Sequence, residues 1–124
     1  MKIFSVMPHL ADQDFNAKKK LLLDVACRCN LVILFGSNSN KEDDVISSLE
    51  MLKSSDAVLV DLSFERPSCY FELGYAQAME KPLILIAQAG THIHQVLSRR
   101  SINTYSNFVE YELLIRKSFS SLSC

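Results

Sequence analysis

The chain has 124 residues, a net charge of −1 at neutral pH and 48% hydrophobic residues. This length and composition predict one domain with an ordinary core, spanning residues 1–124. The near-zero charge excludes the basic surface that binding to nucleic acid or an anionic membrane requires. The longest apolar runs are strand-length, well short of the roughly 20 residues that cross a membrane, and the first residues indicate a strand rather than a leader. We therefore expect a cytoplasmic protein.

Strands and helices alternate along the chain. Apolar runs predict five strands, at 2–7, 31–36, 56–62, 82–88 and 101–105. Helical spacing of apolar residues predicts four helices, at 14–29, 42–54, 68–80 and 107–120, and 91–99 is a loop or a brief helix. The strands are rich in Val, Ile and Leu without strict alternation, which is typical of parallel strands buried on both faces. Right-handed crossovers then favour a single doubly wound α/β domain, with a five-stranded parallel sheet of order 2-1-3-4-5 and helices on both faces.

A ligand site is expected where the strand order of such a sheet reverses. Ligands of doubly wound sheets bind outside the carboxyl ends of the strands, at this switch point. Here the switch point lies between the first and third strands. Six residues should converge there, from the ends of these strands and from the helix that follows the third: Met7, Pro8, His9, Asp61, Ser63 and Glu72.

The residues that other known functions of doubly wound sheets require are absent from this chain. A receiver domain needs an acidic pair after the first strand to hold magnesium, and that position holds Met7-Pro8-His9. There is no Ser/Thr/Gly-rich flavin loop, no Walker loop and no Gly-x-Gly-x-x-Gly. The cysteines and histidines do not show zinc spacing. We expect no metal and no cofactor.

One segment carries a family resemblance. Residues 61–74 read Asp-Leu-Ser-Phe-Glu-Arg-Pro-Ser-Cys-Tyr-Phe-Glu-Leu-Gly. They are similar, without gaps, to the signature Asp-Leu-Thr-Gly-x-Asn-Pro-Asn-Val-Phe-Tyr-Glu-Leu-Gly of the nucleoside 2-deoxyribosyltransferase-like superfamily, and especially to its TIR-like nucleotide-binding branch. The opening strand with its Met-Pro turn and the stretch from Gly74 to Lys81-Pro82 extend the resemblance. It implies the same 2-1-3-4-5 sheet, and a homo-oligomer in which one subunit completes its neighbour's site.

The resemblance implies a catalytic role for Glu72. The glutamate of the signature falls on this residue, and in the resembled transferases and hydrolases it attacks the anomeric carbon of a nucleoside. A nucleophilic carboxylate must be ionised, and the amino-terminal half of a helix dipole favours that form. Ser68, after Pro67, fits the N-cap of this helix. Asp61 is the second catalytic candidate, because it could hold a sugar hydroxyl or orient the loop; capping its own turn is the alternative.

The remaining candidates would contact the substrate, a nucleoside, nucleotide or NAD-like molecule. Hydroxyl and backbone groups near a helix start suit ribose or phosphate, Arg66 suits phosphate, and His9 and Gln88 suit a base edge. For each of these residues the alternative to a binding role is to cap a helix or turn, or to be a solvated surface side chain. The predicted substrate-binding set is Met7, Pro8, His9, Ser63, Arg66, Ser68 and Gln88.

Several departures from the resembled pattern leave three classes of function open. Phe64, Arg66 and Ser68 stand where the signature has Gly, Asn and Asn, which enlarges and recharges the loop. An aspartate that catalytic deoxyribosyltransferases carry before the third strand falls near Ser48, with Asp43 and Asp44 about one turn away. The first class is an enzyme that cleaves or transfers an N-glycosidic bond. The second is a TIR-like module that senses nucleotides or self-associates without turnover, and the third is a structural or partner-binding domain.

Overall fold

The computed structural model describes residues 1–9, 12–36, 41–93 and 102–122, apart from the side chain of Glu65. The five strands are β1 (Lys2–Val6), β2 (Val32–Phe35), β3 (Ala57–Asp61), β4 (Leu83–Gln88) and β5 (Ile102–Tyr105). The four helices are α1 (Phe15–Arg28), α2 (Glu42–Ser54), α3 (Pro67–Ala78) and α4 (Phe108–Leu122), and a short 3₁₀ turn spans Ser63–Glu65. Every predicted strand and helix is present, with ends within two residues of the prediction. Residues 94–99 of the expected loop, and residue 101, lie outside the described residues.

The sheet is parallel throughout and has the order β2-β1-β3-β4-β5. This confirms the predicted fold class and strand order. Phe4 of β1 pairs in register with Leu34 of β2 on one side and with Val58 of β3 on the other. After β1 the chain adds β2 on one side of it, and then adds β3 on the other side. The direction in which successive strands are added therefore reverses at β1. The carboxyl ends of β1 and β3 therefore flank the switch point.

Each face of the sheet carries its own core. On one face, Ile3, Leu59 and Ile86 pack in a cluster with buried residues of α1 and α4. On the other face, Phe4 and Val58 pack with residues of α2 and α3. Burying one large aliphatic side chain stabilises a fold by about 1.5 to 3 kcal/mol, so both layers contribute to holding the sheet. Within the described ranges, no helix is both long and apolar enough to cross a membrane.

The alternation of side chains along β3 decides which layer each candidate residue faces. Asp61 is two residues beyond Leu59, so its side chain points to the α1/α4 face. Glu72 belongs to α3, which covers the opposite face. The two predicted catalytic carboxylates therefore come from elements on different faces of the sheet.

Candidate active site

Asp61 ends β3 and is buried, and each of its carboxylate oxygens accepts at least one hydrogen bond. Its Oδ1 accepts hydrogen bonds from the Ser63 hydroxyl at 2.6 Å and the Ser63 backbone N–H at 3.0 Å. Its Oδ2 accepts one from the Tyr105 hydroxyl at 2.7 Å. The Ser63 hydroxyl in turn accepts a hydrogen bond from the backbone N–H of Gln88 at 2.8 Å. These bonds tie the carboxyl ends of β3, β4 and β5 together.

A buried lysine extends this arrangement to α1. Lys18 Nζ donates to the Tyr105 hydroxyl at 2.9 Å and forms an ion pair with Asp12 Oδ2 at 2.5 Å. The side chains of Lys18 and Asp12 are 2% and 3% exposed. We call the five connected residues the Asp61 network: Asp12, Lys18, Asp61, Ser63 and Tyr105.

Asp12 and Lys18 are not among the site residues predicted from the sequence. A signal for Lys18 was present, because it precedes Leu22 by four residues and Val25 by seven, which places it on the apolar stripe of α1. A lysine on such a stripe must either reach solvent or find a buried partner. Here the partners are Asp12 and Tyr105.

The electrostatics of the network fix the direction of its hydrogen bonds. Burial and the negative charge of Asp61 raise the pKa of Tyr105 well above its ordinary value, so the phenol keeps its proton and donates it. Burial also raises the pKa of Asp61, while hydrogen bonds from Ser63 and Tyr105 and the charge of Lys18 act in the opposite direction. The donor chain therefore runs from Lys18 to Tyr105 to Asp61.

Glu72 has different surroundings. It is the sixth residue of α3, is half-buried, and has no hydrogen-bond or ion-pair partner among the described residues. Burial raises the pKa of Glu72 from 4.5 to about 7. The low-dielectric surroundings disfavour the charged form, and no neighbouring donor compensates for the lost hydration.

The start of α3 places Glu72 farther from the amino-terminal end of the helix than the sequence predicted. The helix begins at Pro67 with Arg66 in the N-cap position, so the predicted Ser68 N-cap was wrong. Proline suits the first helical position because it has no N–H to leave unsatisfied. Glu72 consequently lies beyond the first turn, where the helix dipole has little effect, and desolvation determines its pKa instead.

Cys69 lies close enough to both carboxylates to respond to their charges. Burial is the main cause that raises the pKa of this thiol to about 12, and the charges of Glu72 and Asp61 add to the increase. The thiol therefore stays protonated and is a poor nucleophile.

The residues after β1 form a packed segment rather than a loose loop. Pro8 is buried, and Met7 is half-buried and packs against the α1/α4 core. His9 is half-buried, and its ring meets the Phe15 ring edge-on, with the centroids 4.4 Å apart. Its Nδ1 atom is buried and has no hydrogen-bond partner among the described residues. Phe15 therefore holds the His9 ring in place.

The other predicted residues differ in accessibility. Arg66 and Ser68 are exposed at the start of α3, and Gln88 is half-buried, with its backbone bonded to Ser63. Ser48, near the position of the family's aspartate, is buried on α2, and Asp44 is half-buried at the start of that helix. In the part of the chain that the structure describes, no group of three or more His, Cys, Asp or Glu side chains could hold a metal ion.

The arrangement divides into a closed part and an open part. The Asp61 network is buried and internally hydrogen-bonded, and Ser63 has no exposed surface. A ligand could contact Asp61 or Ser63 directly only if the network opened. Glu72, by contrast, is partly accessible and keeps both carboxylate oxygens free of described partners. Arg66 and Ser68, which precede Glu72 at the start of α3, are exposed. The open part can therefore supply a nucleophile or a proton-transfer group.

Three solved structures share this fold over about nine tenths of the chain. A CMP N-glycosidase of Clostridium botulinum aligns with a TM-score of 0.70 and 15% identity, covering 91% of this chain and 96% of its own. A 2-deoxyribosyltransferase of Leishmania mexicana gives 0.67 and 17%, covering 92% and 96%. The 2-deoxyribosyltransferase of Bacillus psychrosaccharolyticus gives 0.66 and 15%, covering 90% of both chains.

These likenesses confirm, at the level of fold, the expected resemblance to nucleoside 2-deoxyribosyltransferase-like proteins. Neither a protein-family model nor a curated protein sequence matches the chain. One fold can carry many chemistries, so the function must be argued from the site.

Proposed function

We propose that the protein cleaves or transfers the N-glycosidic bond of a nucleoside, a nucleotide or a related dinucleotide, with Glu72 as the nucleophile. The observation that carries this proposal is the state of Glu72. It is a half-buried carboxylate without a described partner, at the position where the resembled signature has its catalytic glutamate. Perturbed, unpaired carboxyl groups at the carboxyl edge of a sheet are typical of functional sites.

The chemistry follows from the properties of this carboxylate. Ionised Glu72 attacks the anomeric carbon while positive charge grows on the ring oxygen, and the C–N bond breaks with its electron pair leaving on the base. In hydrolysis, water then releases the sugar from Glu72; it supplies a hydroxyl to the sugar and, over the whole cycle, a proton to the base. In transfer, a second base takes the place of water. With a pKa of about 7, a substantial fraction of Glu72 is ionised at neutral pH, and its poor hydration makes it reactive.

The other candidate residues divide into positioning and binding groups. Because Asp61 and Ser63 are buried in hydrogen bonds, we assign them to positioning the loop that leads into α3. Exposed Arg66 and Ser68 are available for phosphate, and Gln88 for a base edge. Met7, Pro8 and His9, which follow β1, would form one wall of the substrate site.

The proposal includes a homo-oligomer in the cytoplasm. On α4, the apolar side chains of Val109 and Leu113 lie one turn apart and are 70% and 62% exposed, a surface that a second copy could cover. Cys27, Cys29 and Cys69 are free thiols, which suits a reducing compartment. Sedimentation analysis of the purified protein would test the association.

Base release measured by liquid chromatography tests the catalytic proposal. Wild type and Glu72→Gln would be incubated with nucleosides, nucleotides and NAD. Since Gln keeps the shape but cannot act as a nucleophile, we expect release to fall by about 10³-fold or more. Glu50→Gln is the matched control, because it removes an exposed carboxylate from α2 and should leave release unchanged. Equal release by wild type and Glu72→Gln would exclude Glu72 as the nucleophile.

A second candidate function is the TIR-like sensing module without turnover. Ser48 favours it, because this buried hydroxyl lies near the position where the family's aspartate would serve as an acid. General acid catalysis is typically worth about 10² to 10⁴-fold, so its loss would leave a binding site with little turnover. The same panel separates the two functions: a nucleotide that raises the melting temperature of wild type without releasing base would favour the sensing module.

A further inference from the structure

Three residues other than glycine have a positive φ among the described residues: Asn30, Phe64 and Glu80, with φ of 57°, 66° and 55°. Asn30 and Glu80 follow the last turns of α1 and α3. There the next backbone N–H groups, of Leu31 and Lys81, bond back to helix carbonyls, as in a Schellman motif. The helix ends therefore account for two of the three. Phe64 lies in the loop between β3 and α3, where no α-helix end accounts for its positive φ.

The Asp61 network holds this strained loop. Ser63, the residue before Phe64, is bonded through its backbone N–H and its hydroxyl to Asp61, and it accepts a bond from Gln88. Pro67 begins α3 three residues after Phe64. A left-handed backbone at a bulky residue persists only where the surroundings impose it. The network and the helix start supply those constraints on the two sides of Phe64.

The side chain of Phe64 does not contribute to the core in return. It is 40% exposed, and its ring belongs to neither of the two core clusters. The resembled signature has glycine at this position, which adopts a positive φ without strain. In this chain the position has a positive φ and carries an aromatic ring, just beyond the carboxyl end of β3. A strained position that exposes an apolar ring at a ligand-binding edge is better explained by ligand contact than by stability.

We propose that Phe64 is a substrate-binding residue whose ring stacks on the aromatic base of the substrate. The inference rests on the proposed function and names the part of the substrate that this loop recognises. Stacking on an aromatic side chain suits a nucleobase, because every base has a flat π face, and it is worth about tenfold or more in affinity. Phe64 would thereby bind the leaving group, while Glu72 attacks the sugar.

A set of substitutions at position 64 separates the ring from the strained backbone. Phe64→Tyr keeps both, Phe64→Leu keeps the strain and loses the ring, and Phe64→Gly loses both. Each variant, and the reference protein with Phe64, would also carry Glu72→Gln so that the ligand is not cleaved. Binding would be measured by calorimetry with the nucleoside or nucleotide that wild type cleaves best, and with ribose 5-phosphate as a ligand that has no base. Melting temperatures without ligand report the backbone strain.

We expect Phe64→Leu and Phe64→Gly to weaken binding of the base-containing ligand about tenfold, and Phe64→Tyr to bind it as wild type does. Binding of ribose 5-phosphate should be unchanged in all three. Phe64→Gly should also melt a few degrees higher, because glycine relieves the strain.

Base release by wild type together with unchanged base affinity in Phe64→Leu would overturn this inference and leave the proposed function intact. Equal weakening of both ligands, or an equal loss in Phe64→Tyr, would assign the loop a purely structural role and overturn it too. If wild type neither releases base nor binds any nucleoside or nucleotide of the panel, both proposals fail.

Discussion

At the carboxyl edge of the sheet, the two faces hold carboxylates in opposite surroundings. On the α1/α4 face, Asp61 accepts hydrogen bonds at both oxygens and is connected through Tyr105 to the buried cation of Lys18. On the α2/α3 face, Glu72 has no partner among the described residues, and burial raises its pKa to about 7. Asp61 is buried and paired, as buried polar groups in folded proteins nearly always are, whereas the half-buried Glu72 keeps its oxygens available to a ligand.

The difference separates a structural role from a chemical one. A carboxylate with every oxygen occupied fixes the geometry of its neighbours and has little capacity left for a ligand. A half-buried carboxylate without donors destabilises the fold when it ionises, and such a cost is typically retained where function needs it. We therefore expect substitutions in the Asp61 network to lower stability, and substitution of Glu72 to raise it.

The largest effect is expected from Lys18→Met. This change removes the buried cation and leaves Asp12 and Tyr105 without their donor. Breaking a buried ion pair by removing one partner destabilises a protein by about 3 to 5 kcal/mol. Urea unfolding would measure the loss. Lys20→Met on the exposed face of α1 is the control and should change stability by no more than about 0.5 kcal/mol. A similar small change in Lys18→Met would show that the network does not stabilise the fold.

A smaller effect is expected from Tyr105→Phe, and a neighbouring tyrosine provides its control. The rings of Tyr105 and Tyr111 are 5.0 Å apart and both are buried. The Tyr105 hydroxyl bonds to Lys18 and Asp61, whereas the Tyr111 hydroxyl has no hydrogen-bond partner among the described residues. Tyr105→Phe should lose about 1 to 3 kcal/mol because it leaves buried partners unsatisfied, and Tyr111→Phe should lose nothing. Equal losses in thermal or urea unfolding would contradict the distinction.

The fold was predictable because its signals are local or nearly so. Buried runs such as Ala57–Asp61 and the helical spacing of Leu22 and Val25 are visible in short windows of the sequence. Right-handed crossovers and the resemblance then supplied the strand order. The start of α3 was wrong by one residue because Ser68 was weighed as a cap, while Pro67 in the first helical position determined the outcome.

The candidate site was less predictable because its contacts join distant parts of the chain. Lys18 and Tyr105 are 87 residues apart, and no local pattern pairs them. The raised pKa of Glu72 depends on how deeply α3 packs against the sheet, which its sequence position does not reveal. The left-handed φ of Phe64 was likewise hidden, although the glycine of the resembled signature at this position was a hint.

The smallest of these changes in stability is expected for Glu72→Gln. It should stabilise the fold, whereas Lys18→Met and Tyr105→Phe should destabilise it. The pKa of Glu72 is raised from 4.5 to about 7, so between these values the folded protein holds a proton that the unfolded chain has released. Stability from this group therefore falls as pH rises through this window, and the full penalty is present above pH 7. Glu72→Gln cannot ionise. It should match wild type below pH 4.5 and be more stable at pH 8 by about 1 to 2 kcal/mol, once the shift is reduced for solvent screening.

Urea unfolding of both proteins at a series of pH values would test this, because groups shared by the two proteins cancel in the difference. Glu50→Gln, exposed on α2, is the control for removing one carboxylate from a solvated position. A difference that grows with pH only in Glu72→Gln would show that this carboxylate is held in unfavourable surroundings. If wild type and Glu72→Gln were equally stable at pH 8, Glu72 would be as well solvated as a surface residue. The contrast between the two faces of the sheet would then lose its basis.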